Sequence, residues 1–322
     1  MKYIKELSNN TLKELKFQHY SKILIILFIS ISLFSIWNLY SQKLTAEYNY
    51  ELYLHSVDKY ANTDESLKEA LNSPIDVQSL EGEDSTNGEI VSNIVRYDYE
   101  NVASSVNNLK MERIGSITLE WLTFVFFPFF FAIFGIYIGT YDLKYKTIKI
   151  KAVQQNFFLL LFSKQLSMYL SAIIILSSSL LVSYVTGSIF LKMLSDRIPI
   201  NEFQLNIQTP DDNMFLQFLL SLSVAIIYST LGFYLGLLFK GIIAPTILLI
   251  SYNFILPVFG EYDLRNLIAV LAHKIFSFTG NFKLFEPKDV STTLVFSLLF
   301  FIGTIFTIFI YKISEKRSKY VI

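Results

Sequence analysis

Six apolar runs of about 18 residues or more, divided by short polar stretches, constrain this 322-residue chain more than any other feature. About 20 apolar residues match the hydrocarbon thickness of a bilayer. Within that layer every backbone polar group must be satisfied by the chain itself, which leaves the helix as the natural spanning form. The runs fall at 23–40, 117–140, 165–191, 215–239, 241–259 and 291–311. The sequence therefore predicts an all-α membrane protein with six transmembrane helices. Charged residues are only 17% of the chain, below the quarter usual in soluble domains. No small-x-small cleavage site closely follows the first run, so it is expected to stay as an anchor rather than act as a secretory signal.

The distribution of Lys and Arg sets the expected orientation. Segments 1–22, 141–164, residue 240 and 312–322 carry 15 Lys/Arg in 58 residues, whereas 41–116, 192–214 and 260–290 carry 12 in 130. The first set is therefore assigned to the cytoplasm, with both termini. Ile-, Lys- and Asn-rich usage points to an AT-rich bacterial genome and hence to a bacterial cell membrane. On the opposite side, 41–116 holds 14 Asp/Glu against 6 Lys/Arg and is expected to form a small extracellular helical cap. No Gly or Pro interrupts 41–73, so the first span can continue upward as a helix. The stretch "SPIDVQSLEGEDSTNGE" (73–89) reads as a loop, and 90–113 as a second helix or extended arm. Lys240 alone separates the fourth and fifth spans, which predicts a tight hairpin.

Two further segments are amphipathic. "TLKE" at Thr11–Glu14 matches a capping box, so an interfacial helix is expected to start at Thr11 and lead into the first span. The plainer reading of 1–22 is a basic flank that only fixes topology. In 263–278, Leu264, Leu267, Ile268, Leu271 and Ile275 share one helical face, and an outer-surface or re-entrant helix fits a segment too short and too polar to span.

The absences narrow the function. With no cysteine there is no disulfide, thiol nucleophile or cysteine-held metal. No phosphate-binding G-x-x-x-x-G-K-[ST] loop, no H-E-x-x-H and no G-x-S-x-G occurs, and no enzyme or resident cofactor is expected. The zero net charge argues against a nucleic-acid partner. Glu120 is the one ionisable residue inside the six runs, which disfavours a proton-coupled transporter, since such pathways carry charge on buried groups. Two readings of Glu120 stand: contact with a substrate at the outer mouth, or a side chain snorkelling to the interface beside Trp121. Small residues mark packing faces: Gly135 and Gly139, Gly232 and Gly236, and the stripe Ser179, Ser183 and Gly187. Pro128 and Pro257 are expected to kink or end their helices.

The layout resembles the permease subunit of a type-2 ABC (ATP-binding cassette) exporter. The local likeness lies in "GTYDLKYKTIKIKAVQQNFFLLLFSKQL", which supplies Gly139, Thr140, Asp142, Lys146, Thr147 and Lys164 in the order seen in that family; the Arg common in the loop's second half is missing. The resemblance implies that 142–160 contains a coupling helix docking on a separate cytoplasmic ATPase, which binds the ATP and Mg. The docking residues would be Asp142, Lys146, Lys149, Lys151, Val153, Phe157 and Phe158. It also implies a second permease, identical or a sister chain; the Phe and Tyr faces of the spans and their few fixed charges suit a hydrophobic or amphipathic cargo such as a lipid-like compound or an antimicrobial peptide. The same lysines also suit plain topology and anionic lipid. A second class of function is a non-transporting sensor or assembly protein, with a ligand-binding cap and a cytoplasmic partner.

Overall fold

The computed structural model describes residues 2–75, 77–80, 88–147, 150–151, 156–204 and 213–320. Eleven α-helices are described: α1 Lys2–Tyr20, α2 Ile23–Tyr60, α3 Asp64–Asn72, α4 Ile94–Asn108, α5 Met111–Trp121, α6 Phe127–Lys144, α7 Phe157–Ser195, α8 Met214–Phe239, α9 Ile243–Ile250, α10 Leu264–Ile275 and α11 Thr292–Tyr320. A two-stranded antiparallel hairpin, β1 Val77–Leu80 with β2 Gly88–Val91, pairs Val77 with Val91 at its base. Two π-helical turns interrupt the pattern, Leu122–Phe126 between α5 and α6 and Ser251–Ile255 after α9.

Five helical stretches are long and apolar enough to cross a membrane: Ile23–Tyr60, Met111–Lys144, Phe157–Ser195, Met214–Phe239 and Thr292–Lys316. The protein is thus a helical, multi-pass membrane protein. The run at 241–259 departs from the fifth of the six spans expected. Its helix is confined to Ile243–Ile255, about 20 Å at 1.5 Å per residue, short of the ~30 Å hydrocarbon layer. Pro257 explains the stop. Leu256 adopts extended angles (φ −78°, ψ 140°), as the residue before proline must. The tight hairpin at Lys240 is present: Lys240 takes the left-handed conformation (φ 55°) and its N–H bonds the Gly236 carbonyl at 3.0 Å, ending α8.

The bundle is organised around α6 and α8, and glycine explains how closely they approach. A Cβ on Gly135 would lie 1.9 Å from the Ser229 carbonyl oxygen, and one on Gly232 2.1 Å from that of Ala132. Gly139 and Gly236 meet Phe233 and Ile136 in the same way. Both glycine pairs are therefore used within the chain, backbone against backbone. The serine stripe packs elsewhere. Ser183 shares a 2.5 Å hydrogen bond with Ser35 of α2, Gly187 receives Ile114 of α5, and Ser179 is buried on the same face.

Beyond the bundle the outline differs in part from the expected one: the helix rising from the first span ends at Tyr60, α3 is a separate helix, and the stretch read as a loop at 73–89 carries β1 and the start of β2. The second half of α2 runs unbroken out of the apolar zone to Tyr60 and packs on α4. Leu39, Ala46, Val102, Val106 and Leu109 form its core. Segment 194–203 also joins this cap, because Phe203 sits edge-on to Tyr50 and Tyr53 and beside Tyr99.

The expected capping box is overturned. α1 begins nine residues earlier, so Thr11 lies mid-helix and its hydroxyl donates back to the Leu7 carbonyl at 2.8 Å. Nothing in 2–10 breaks a helix, so a local match to the capping pattern did not set the boundary.

The close approach gives a direct test. Gly232→Ala should destabilise the protein by about 1–3 kcal/mol or more, because the methyl meets backbone that cannot yield. Gly303→Ala, with nothing within 4 Å of its Cβ, should stay within about 0.5 kcal/mol of the parent. Thermal melting of the detergent-purified chain compares the two.

Candidate functional site

Call the end of the bundle that carries both termini the terminal end; there α6 delivers Asp142, only 2% exposed, into the space between α1 and α7. A lone buried carboxylate costs several kcal/mol, so its partners decide whether it is charged. Lys164, about two turns into α7 and 4% exposed, places its ammonium 2.6 Å from Oδ2. Lys151 stands 3.1 Å from the same oxygen, and the Thr147 hydroxyl donates to Oδ1 at 2.7 Å. Lys151 also reaches Glu14 of α1 at 3.0 Å. Two acids and two lysines thus fasten four pieces of chain: α1, the end of α6, the following loop and α7.

Further along the same seam, Gln18 is fully buried. Its Nε2 donates to Ser167 at 2.7 Å, and the Ser171 hydroxyl donates to its Oε1 at 2.5 Å. Asn10, Thr11, Glu14 and Gln18 are all buried, whereas Tyr3, Ile4 and Leu12 point away from the protein. α1 therefore turns Asn10, Thr11, Glu14 and Gln18 to the bundle and leaves Tyr3, Ile4 and Leu12 outward together with Lys13 and Lys16.

The expected docking residues separate under this geometry. Asp142 and Phe157 are buried, and Lys151 is directed into the ion cluster. Asp142 has no surface to offer a partner; its place is structural. Lys146 and Phe158 (54% exposed) remain at the surface, as do Lys144 and Tyr145. Lys149 and Val153 lie outside the described residues. Lys146 marks a sharp reversal, with φ at 56°.

The opposite, cap end holds a second polar cluster. Glu120 is 1% exposed, so it does not snorkel, and its carboxylate accepts the Phe278 backbone N–H at 3.1 Å. Phe278 has φ 49°, a strained geometry for a bulky residue. Arg113 donates to the Ser277 and Thr279 hydroxyls, Gln217 to the Ile275 carbonyl at 3.3 Å, and Asn108 to the Thr279 carbonyl at 3.3 Å. Segment 275–279 is thereby held over the bundle. Glu120 serves as an anchor for that segment, and the expected contact at an outer mouth gives way to this internal one. Just before it, α10 follows the expected pattern. Leu267, Ile268 and Leu271 are buried, and Asp263 caps the helix by accepting from Arg265 N at 2.9 Å.

On the sequence alone Glu14 reads as a cap residue, and no motif marks Arg113 or Gln18. For α1 a signal existed: polar residues at 10, 14 and 18 mark one helical face. For Arg113 none did, since its partners lie more than 160 residues away. Compared with protein-family models, curated proteins and solved structures, the chain gives no significant match in any of the three.

Breaking one half of a buried pair should be worse than removing both. Lys164→Met is expected to cost about 3–5 kcal/mol, and Lys164→Met with Asp142→Leu clearly less; denaturation of the four-member mutant cycle reads the difference. pH gives an independent check. Burial lowers the Lys151 pKa, but Glu14 and Asp142 raise it by more, and the net shift is upward. Its contribution is therefore complete below the free-lysine value of about 10.4 and is lost only as pH rises through the higher folded value. Lys151→Ala should reduce the melting temperature by the same amount throughout pH 7 to 9 (roughly).

Proposed function

We propose that this chain is the permease subunit of an ATP-driven exporter of the type-2 ABC kind, moving a hydrophobic or amphipathic cargo across a bacterial cell membrane. The observation that carries the reading is the ion cluster of Glu14, Asp142, Lys151 and Lys164. It joins the N-terminal helix and the basic segment into one unit at the terminal end. A chain with no nucleotide-binding loop must take its motion from a companion, and a stiff unit at the edge of the bundle is what such a companion would push. Its positive-charge density supports a cytoplasmic setting for that end. Exposed Lys144, Tyr145, Lys146 and Phe158 suit an acidic groove with room for an aromatic anchor.

The ATP and Mg would be held by the ATPase, and this chain would supply only coupling and the route. Closure of two ATPase chains would tilt α1 with the 142–160 segment, shifting the transmembrane body between inward- and outward-facing arrangements. A second permease, identical or a sister chain, would complete the pathway. A greasy cargo is favoured because the one acid within the six apolar runs, Glu120, is engaged with the protein's own backbone. The acidic cap suits attraction of a cationic peptide, an effect that weakens with salt.

A second reading, a membrane sensor or assembly protein, is favoured by one observation: α2 is a single helix of 38 residues linking cap and terminal end, so a ligand on the cap has a rigid path inward. Co-expression with the candidate ATPase separates the two. Under the exporter reading the chain co-purifies with it and changes its hydrolysis rate, and Lys146→Glu with Phe158→Asp lowers that stimulation by about tenfold, as for loss of an interface anchor. Hydrolysis indifferent to the chain, or to the double substitution, overturns the docking claim.

A further inference from the structure

Both π-helical turns among the described residues line one cavity at the cap end of the bundle. It measures about 380 Å³ and lies between the Leu122–Phe126 turn, α8, the Ser251–Ile255 turn, α10 and residues 282–285. Each turn stands just before a proline. Pro128 lacks the N–H that would serve the Phe124 carbonyl, and Pro257 the one that would serve Asn253. Each π turn admits an extra residue and widens its helix locally, a distortion frequent at functional sites. Two such distortions on separate helices facing one space are hard to assign to chance packing.

The lining specifies the ligand. Phe124, Val125, Val224, Phe254, Ile268 and Leu284 make the walls apolar. The polar groups among them already bond within the protein. The Tyr228 hydroxyl donates to Asn253 Oδ1 at 2.7 Å, Asn253 Nδ2 to the Leu249 carbonyl at 2.8 Å, and the Thr123 hydroxyl to Ser221 at 2.7 Å. The Arg265 guanidinium is taken by Asp263 and by the Leu256 and Pro257 carbonyls. Burial works against the Asp263 charge, but Arg265, Tyr252 and two backbone N–H groups hold its carboxyl well below the usual range, so that pair is charged and mutually neutralised. Among the described residues, the exposed Lys283 is the lining cation outside any such pair.

We propose that this cavity binds an anionic amphiphile, its apolar tail between the two π turns and its phosphate or carboxylate head on Lys283. Its size suits a small-molecule site. The inference does not rest on the exporter reading, because a resident lipid and a transported solute share this chemistry.

The test uses the full chain purified in neutral detergent with no ATPase present, titrated with lysophosphatidylglycerol or lysophosphatidylcholine and read by native mass spectrometry. The anionic probe should bind about fivefold tighter, the scale of an exposed ion pair. Lys283→Glu should abolish that preference. Val125→Trp and Leu284→Trp should each weaken both probes by about tenfold or more through loss of the apolar site, with melting temperature confirming the fold. Absence of binding to the parent chain overturns the proposal. So does parent-like binding by both folded tryptophan variants, or a preference that survives Lys283→Glu. Spectra recorded before any probe is added distinguish the sources: a co-purified phospholipid lost in the tryptophan variants marks a bilayer ligand, and an empty site filled only by the added probe marks a solute.

Discussion

A carboxylate buried at the margin of an apolar bundle must be neutralised or paired, and Asp142 is paired twice. Lys164 meets it from within the bundle and Lys151 from the loop, at 2.6 and 3.1 Å. Because Lys151 also holds Glu14, the charge that anchors the loop anchors the N-terminal helix too. Buried pairs contribute little net stability against well-packed apolar groups. What this one contributes is geometry: it fixes how α1, α6 and α7 sit together. The basic block is thus a fastening whose inner members are a buried Lys164 and a half-buried Lys151, and whose outer members, Lys144 and Lys146, remain exposed.

Around that fastening the bundle divides into a part packed backbone on backbone and a part interrupted by π turns. α6 and α8 touch through backbone at Gly135 and Gly232, which leaves no freedom to slide without separating. Two turns above Gly135, Pro128 and the π turn before it loosen the same helix. On the far side of the cavity, Pro257 and its π turn do likewise. The backbone contact lies toward the terminal end and the two π turns toward the cap end, where they line the cavity. The buried polar cluster of Arg113, Glu120 and Gln217 then closes the top by gripping 275–279.

Much of this was legible in the sequence wherever one local rule dominates. Paired glycines four apart in an apolar run have few uses other than close helix contact, and Gly135, Gly139, Gly232 and Gly236 behave so. Lys240, alone between two apolar runs, forced the hairpin. The uninterrupted stretch after Ser41 gave the helical rise of α2. Failures came where distant residues decide. Hydropathy gave 241–259 a full span, because summed apolarity is blind to the extended geometry that Pro257 imposes on Leu256. Thr11 matched a cap pattern inside a helix that had no reason to start late. Glu120 looked like an interfacial acid because its partner, the Phe278 N–H, is 158 residues on. Asp142 looked like a surface contact because burial depended on Lys164 folding back over it.

The most direct test is the distance between α1 and the loop. The chain has no native cysteine, so Lys13→Cys and Lys146→Cys can carry two spin labels without further changes. Pulsed dipolar spectroscopy on the full chain in nanodiscs should give one narrow distance, which broadens when Lys151→Ala is added. A narrow and unchanged distribution without Lys151 would contradict the account, because α1 and the basic loop would then be joined by something other than the Asp142 cluster.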